Sequence, residues 1–198
     1  MYVSDVALRD AVLAALLDGE ASGYDLAKDF DASVANFWAA SPQQLYRELD
    51  RMAAEGLISA RLVEQDRRPN KYLYSLTAAG RRQLREFTRA TAKPSVIRDE
   101  LLVQVQAIDA GDGPAVRRAI GDRLQAATEK LARYRRLQTK LLDGSTEADY
   151  LAGAERVGPY LTLLRGIEFE QENIRWAQRA LSVIAGRSPS AGRGLEVR

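Results

Sequence analysis

The sequence contains no cysteine and no histidine. The first absence excludes disulfides and thiol catalysis, and the two together remove the usual zinc ligands and the side chain most often used as a general base. A chain without cysteine is compatible with a reducing cytoplasm, the location expected for it. Long apolar runs are missing as well: the longest, Ala11–Leu17, is far short of the roughly 20 residues that span a bilayer. The opening MYVSDVALRD carries Asp5 early and no cationic leader ahead of an apolar stretch, so no export signal is expected.

What is present is ordinary globular material. The 198 residues are 46% hydrophobic and 28% charged, enough for a real core in one generous domain or two small ones. The net charge of +2 says little about partners, but its distribution says more. Residues 1–60 hold 4 Lys/Arg against 10 Asp/Glu, whereas residues 61–92 hold 8 against 3. A nucleic-acid binder built this way would use a focused basic patch, with acidic surface elsewhere limiting indiscriminate binding. The alternative is arginine clustered on solvated faces.

Along the chain, Ser4 reads as an N-cap and Val6, Leu8, Val12, Leu13, Leu16 and Leu17 as the apolar face of a helix over 5–18, stopped by Asp18-Gly19. Ser22 and Gly23 open a second helix, with Tyr24, Leu26, Ala27 and Phe30 on its buried side. Phe37 and Trp38 follow in a hinge, where they are expected to pack between the third helix and the first. The third helix is capped by Ser41, has Pro42 at its first position, turns Leu45, Leu49 and Met52 inward, and ends at Gly56. Residues 57–65 and 71–76 are strand-like and form a hairpin around a charged turn; Thr77 then caps another helix despite Gly80 in its first turn.

Beyond Thr91–Ser95 the pattern is helical. A helix is expected over Val96–Ile108, and a long one over 114–142 with one apolar seam at 116, 120, 124, 127, 131, 134, 137 and 141. The stretch DGSTEADY breaks it, and a final helix puts Tyr160, Leu164, Ile167, Ile174, Ala177, Leu181 and Ile184 on a similar seam. Two such helices are expected to need the first domain or, better, a second copy to cover both seams. The fold class is therefore mainly α with a small β-hairpin wing: an N-terminal winged helix-turn-helix followed by long helices that dimerise. The boundaries are 1–92 for a DNA-binding domain, 93–186 for a dimerisation domain that is also the place for any effector, and 187–198 for a disordered tail.

The third helix carries the chemistry. Guanine offers two acceptors in the major groove and adenine a donor–acceptor pair, which arginine and glutamine match with two hydrogen bonds each. Gln43, Gln44 and Arg47 lie in the first turns, the part of such a helix that enters the groove. Tyr46 has two open readings, a hydroxyl on phosphate or a half-buried core residue, and the free N–H groups after Ser41 suit phosphate too. Arg51, a turn farther on, is expected to meet backbone or solvent. In the wing tip DRRPNK, Arg67, Arg68, Asn70 and Lys71 project where a wing follows the duplex, unless the hairpin is merely decorated for solubility. Trp176 lies beside the last seam and suits dimer packing or ligand contact.

FWAASPQQLYRELDRMAAEGLI and RRPNKYLYSLTAAGRRQL resemble the two signatures of the PadR-like transcriptional regulators. The first is carried by Tyr46, Leu49, Gly56 and Leu57, the second by Arg68, Pro69, Asn70, Lys71, Tyr74, Leu76, Thr77 and Gly80, and SGYDL is similar to their second helix. The resemblance covers about the first 90 residues, and the remainder is similar in type to the subgroup with an extended C-terminal helical domain. It implies a homodimer that binds operator DNA, usually as a repressor, and in some members a small apolar or aromatic effector at the dimer interface. Arg47 stands where many relatives have proline and Tyr72 where many have a basic residue, so no operator sequence carries over. No residue is assigned to an effector.

The expected function is a dimeric DNA-binding regulator, a repressor of a palindromic operator, with no cofactor, metal or membrane partner. The alternative is a winged-helix protein-interaction module with helical dimerisation. An enzyme is not expected: in EFEQEN, Glu168 and Glu172 share a helix face and Glu170 does not, and no second carboxylate cluster completes a site.

Overall fold

A computed structural model describes residues 4–30, 41–64, 70–92, 94 and 98–187, without the side chains of 4–7, 29 and 30. Phe37, Trp38, Arg67, Arg68, the side chains of Val6 and Phe30, the start of the helix expected from Val96, and the tail from residue 188 lie outside the described residues. Two compact units result, Met1–Pro94 and Ser95–Arg198.

In the first unit α1 (Ser4–Ala15) runs into a 3-10 turn, Leu16–Asp18, that stops at Gly19 with φ of 128°. A two-residue strand β1 (Ala21–Ser22) leads into α2 (Gly23–Phe30). Then come α3 (Pro42–Ala54), β2 (Ile58–Val63), β3 (Lys71–Leu76) and α4 (Ala78–Arg89). The sheet has three antiparallel strands in the order β1-β3-β2, not the two of a simple hairpin: Ser22 pairs with Leu73, and Ile58 with Leu76. Leu8, Val12 and Leu13 of α1, Leu16 of the 3-10 turn, Leu26 of α2, Leu45, Leu49 and Met52 of α3, and Ile58 and Tyr74 of the sheet form one core.

Tyr24, expected inside, is 70% exposed. Positions 24 and 26 lie about 200° apart on a helix, so only one can face the core, and Leu26 at 2% exposure takes that place.

Ion pairs hold α3 to α1, and a hydrogen bond holds α4 to it. Arg9 donates through Nε to Glu48 of α3 at 2.9 Å and also pairs with Glu55 at 2.8 Å. Arg51 lies 3.7 Å from Glu48 and 3.5 Å from Glu55, so it joins the edge of this cluster while its side chain stays half exposed to solvent. Asp10, 3% exposed, accepts one long hydrogen bond from Gln83 of α4, at 3.3 Å. Burial pushes the Asp10 carboxyl above its ordinary range, and the Gln83 bond and the Arg9 charge only partly oppose this. The folded form thus holds the proton more tightly than the unfolded chain, and stability drawn from this group falls as pH rises through the folded pKa. Asp10→Asn is expected to stabilise the protein by about 1 kcal/mol at pH 7 and to lose that advantage near pH 4, as urea unfolding at the two pH values would report.

In the second unit α5 is Glu100–Gln106, α6 Gly113–Leu142, α7 Glu147–Gly153 and α8 Gly158–Gly186. The helix expected over Val96–Ile108 is shorter among the described residues because Asp99 starts it: its carboxylate accepts from Leu101 N at 3.0 Å and takes both ends of Arg123 of α6, at 2.8 and 3.1 Å. DGSTEADY is not only a break. Asp143 takes a left-handed φ of 45°, and Thr146 then caps α7, a helix that periodicity did not reveal because it is too short to show any.

The α6 and α8 seams close on each other in antiparallel order. Val116 and Ile120 cluster with Ala177, Tyr134 clusters with Ile167 and Leu163, and Gln138 donates to the Tyr160 hydroxyl at 3.0 Å. Within the unit Val116, Ile120, Ala127, Tyr134, Tyr160, Ile167 and Ala177 are buried, whereas the other seam residues are only partly covered and Leu141 is exposed, so the two helices close their seams in part. Trp176 packs half-buried against the Val116–Ile120–Ala177 cluster. Of the EFEQEN carboxylates, Glu170 is buried against Lys130 at 3.2 Å and Asn173 at 3.0 Å, while Glu172 pairs with Arg175 on the surface. No group of three or more carboxylates that could hold a metal occurs among the described residues.

Candidate nucleic-acid interface

The start of α3 is locked by reciprocal bonds. Ser41 Oγ accepts from Gln44 N at 3.2 Å, and Gln44 Oε1 accepts from Ser41 N at 2.9 Å, while Pro42 fills the first turn, where a missing N–H costs nothing. Leu45, Leu49, Met52 and the paired Glu48 form the inner face. Gln43, Tyr46, Arg47 and Asp50 are exposed on the outer one. Gln43 and Arg47 stand one turn apart, and Arg47 Nε donates weakly to the Gln43 carbonyl at 3.4 Å. The Gln43 amide and the two terminal nitrogens of Arg47 have no protein partner among the described residues.

Gln44 differs from its neighbours. Its side-chain oxygen is occupied by the cap, so the donor–acceptor pair that adenine requires is open only if the capping box breaks. The sequence shows glutamine three residues after serine, which is the capping-box signature as much as it is a base reader.

The Tyr46 ring is neither in the core nor free. It is 44% exposed and lies over Gly23 at the start of α2, where a Cβ would overlap the ring. Gly23 is held in place because β1 fastens the preceding Ser22 to β3. Ser22 Oγ in turn accepts from Asp25 N at 3.1 Å and donates to the Asp25 carboxylate at 2.6 Å. That bond, with Lys71 and Lys28 nearby, holds the Asp25 carboxyl below its ordinary range. Asn70 and Lys71 are exposed at the start of β3; Arg67 and Arg68 lie outside the described residues.

Residues 12–86 match the transcriptional regulator PadR-like family, and residues 97–185 match the family described as virulence activator alpha C-term. The negative transcriptional regulator PadR of Bacillus subtilis is 28% identical over 178 residues, 89% of this chain and 97% of that protein. The first unit is a PadR-like regulator domain. The PadR-like regulators it resembles are not enzymes. A crystal structure of Bacillus subtilis PadR in complex with operator DNA superposes with a TM-score of 0.70 at 27% identity, covering 90% of this chain and 99% of that one. The same protein in complex with p-coumaric acid gives 0.67 at 25% identity, covering 94% and 100%.

The chain thus has an N-terminal winged helix-turn-helix of the PadR-like type and a helical C-terminal extension. Among its described residues no helix is long and apolar enough to cross a membrane. Sequence reasoning missed the surroundings of Tyr46. Tyr24, Tyr72 and Asp50 join it around one groove, and the signal that places them there is the two-residue pairing of β1, which has no periodicity to detect.

Proposed function

We propose that this regulator is a homodimeric repressor whose first unit reads a palindromic operator and whose second unit pairs two copies, with a small apolar or aromatic effector releasing the DNA. The observation that carries the reading is the outer face of α3: Gln43 and Arg47 present unpartnered hydrogen-bonding ends from the first turns of a capped helix. In this reading Arg47 takes guanine and Gln43 adenine. Gln44 contributes mainly by fixing the helix start, and its amide nitrogen alone faces DNA. Ser41, Tyr46, Asn70, Lys71, Arg67 and Arg68 hold the sugar–phosphate backbone. The operator and p-coumaric acid complexes of the Bacillus subtilis relative support a DNA site and a small aromatic effector.

Pairing of copies is supported by a second apolar stripe. Leu161, Phe169 and Val183 of α8 are 52%, 44% and 52% exposed and, at 100° per residue, share a face opposite the seam that meets α6. A two-fold dimer would present two α3 helices to two half-sites, and an effector that prefers another spacing would lower operator affinity.

The direct test is fluorescence anisotropy of a labelled duplex from the protein's own upstream region, beside a scrambled duplex, at two salt concentrations. Preference for the upstream duplex supports the reading. Failure to bind either duplex at low salt sinks it and leaves a winged-helix module that binds protein.

Gly23 supplies a second check. Gly23→Ala pushes the Tyr46 ring off its seat without touching a base-reading residue. Stability is expected to change by less than about 1 kcal/mol, because alanine suits a helix. Operator affinity is expected to fall about tenfold, the loss of one hydrogen bond to a charged group. Unchanged affinity would remove Tyr46 from the interface.

A further inference from the structure

The groove beside Tyr46 has a chemistry of its own. It is an open groove of about 790 Å³ between α2, α3 and β3, a volume within the range of small-molecule sites. Three tyrosines from three different elements border it with solvent-reached rings: Tyr24 at 70%, Tyr72 at 52% and Tyr46 at 44% exposure. Buried Tyr74 also lines it, its ring centroid 6.5 Å from that of Tyr72. The charged lining is Asp25 and Asp50 against Lys71, a net negative charge of one.

Each part favours the same class of guest. Exposed phenol rings are electron-rich on their faces and attract cations. Asp25 is kept ionised by the Ser22 hydroxyl and by the nearby lysines. Burial, with Asp50 and the neighbouring phenols, raises the Tyr74 pKa, so the phenol stays neutral and the carboxylates carry the anionic charge. An anion would face two carboxylates and one ammonium, an unfavourable exchange for its hydration. A cation with an apolar body meets rings and carboxylates together.

We propose that the groove between α2, α3 and β3 binds a small organic cation, a quaternary or protonated amine, and that its occupancy excludes DNA from Tyr46 and Lys71. The second half rests on the operator-binding reading above; the first does not. Tyr24 and Tyr72 supply ring faces, and Asp25 and Asp50 supply the charge. Effector release by this route is direct competition at the winged helix, with no change in dimer geometry.

The test uses the full chain and benzyltrimethylammonium chloride as the probe, with sodium benzoate and matched sodium chloride as controls. Binding is followed through the tyrosine ring resonances by NMR, independently of DNA. Saturable shifts of Tyr24, Tyr46 and Tyr72 with the probe, absent with benzoate, are the expected result. Tyr72→Phe and Tyr24→Phe should bind it as the parent does, since the rings remain, whereas Tyr72→Ala and Asp50→Asn should bind it at least tenfold more weakly. No saturable shift, or equal binding of benzoate, overturns the site. So does a loss of duplex affinity in the two phenylalanine variants of a protein that ignores the probe, since the hydroxyls would then be holding phosphate. In the anisotropy assay the probe should displace the duplex where matched sodium chloride does not. Probe binding without displacement overturns the competition and keeps the site, and a protein that binds the probe but no duplex refutes the operator reading alone.

Discussion

Gly80→Ala is expected to destabilise the first unit by about 3 kcal/mol, a large share of the roughly 5–15 kcal/mol that holds a typical domain. A Cβ at Gly80 would collide with the backbone carbonyl oxygen of Leu57 and come within 3.1 Å of Leu13 Cδ2. That carbonyl cannot retreat easily. It accepts from Thr77 N at 3.2 Å and from Thr77 Oγ1 at 2.9 Å, and the same hydroxyl also lies 2.7 Å from the Gly56 carbonyl. Thr77 is at the same time the cap of α4, its Oγ1 accepting from Gly80 N at 3.1 Å. Room for a methyl group therefore comes only by lifting α4 off α1 and the sheet. Urea unfolding followed by circular dichroism reads the loss directly. Gly121→Ala serves as the opposite control: Gly121 lies inside α6 with nothing within 4 Å of its added Cβ, so the change should stabilise by about 0.5–1 kcal/mol. A Gly80→Ala variant as stable as the parent would mean that the close approach of α4 to Leu57 has slack the structure does not show.

Arg47→Ala and Gln43→Ala are each expected to cost about 1–3 kcal/mol of operator affinity if each makes a bidentate base contact, with little effect on a scrambled duplex. Both side chains are exposed, and neither carries packing, so unfolding is not a competing explanation. Gln44→Ala is expected to behave differently. It removes one arm of the capping box, so thermal stability should fall by about 1 kcal/mol and binding to both duplexes should weaken together. Anisotropy on the two duplexes, with melting curves for each variant, separates the outcomes. Equal losses on specific and scrambled DNA for Arg47→Ala would show that the arginine holds backbone. A specific loss for Gln44→Ala with unchanged stability would restore it as a reader and imply that the cap opens on DNA.

Much of this architecture is short-range and therefore legible in the chain. Ser41 with Pro42, Thr77 before α4, and Gly56, whose φ is 72°, mark helix ends through bonds that span only a few residues. The inward positions of α3 and the seams of α6 and α8 follow from helical spacing, which requires no knowledge of what lies opposite. The signatures around Tyr46 and Lys71 pointed to the PadR-like family for the same reason.

Tertiary structure decided what depends on pairing between distant segments. Two residues of β1 are too few for any periodicity, yet their register with β3 puts Gly23 under Tyr46 and turns Tyr24 outward. Only that register brings positions 24, 46 and 72 to one groove. The lone oxygen of Gln44 was committed to a cap rather than to a base, a choice that depends on rotamer and not on residue type. Likewise Glu170, a surface carboxylate by composition, is buried because Lys130 reaches it from α6. The sequence by itself determined the order of elements, their caps and their apolar faces, because these arise from neighbours along the chain. Which polar groups meet one another was left to the packing, because that depends on the register between elements far apart in sequence.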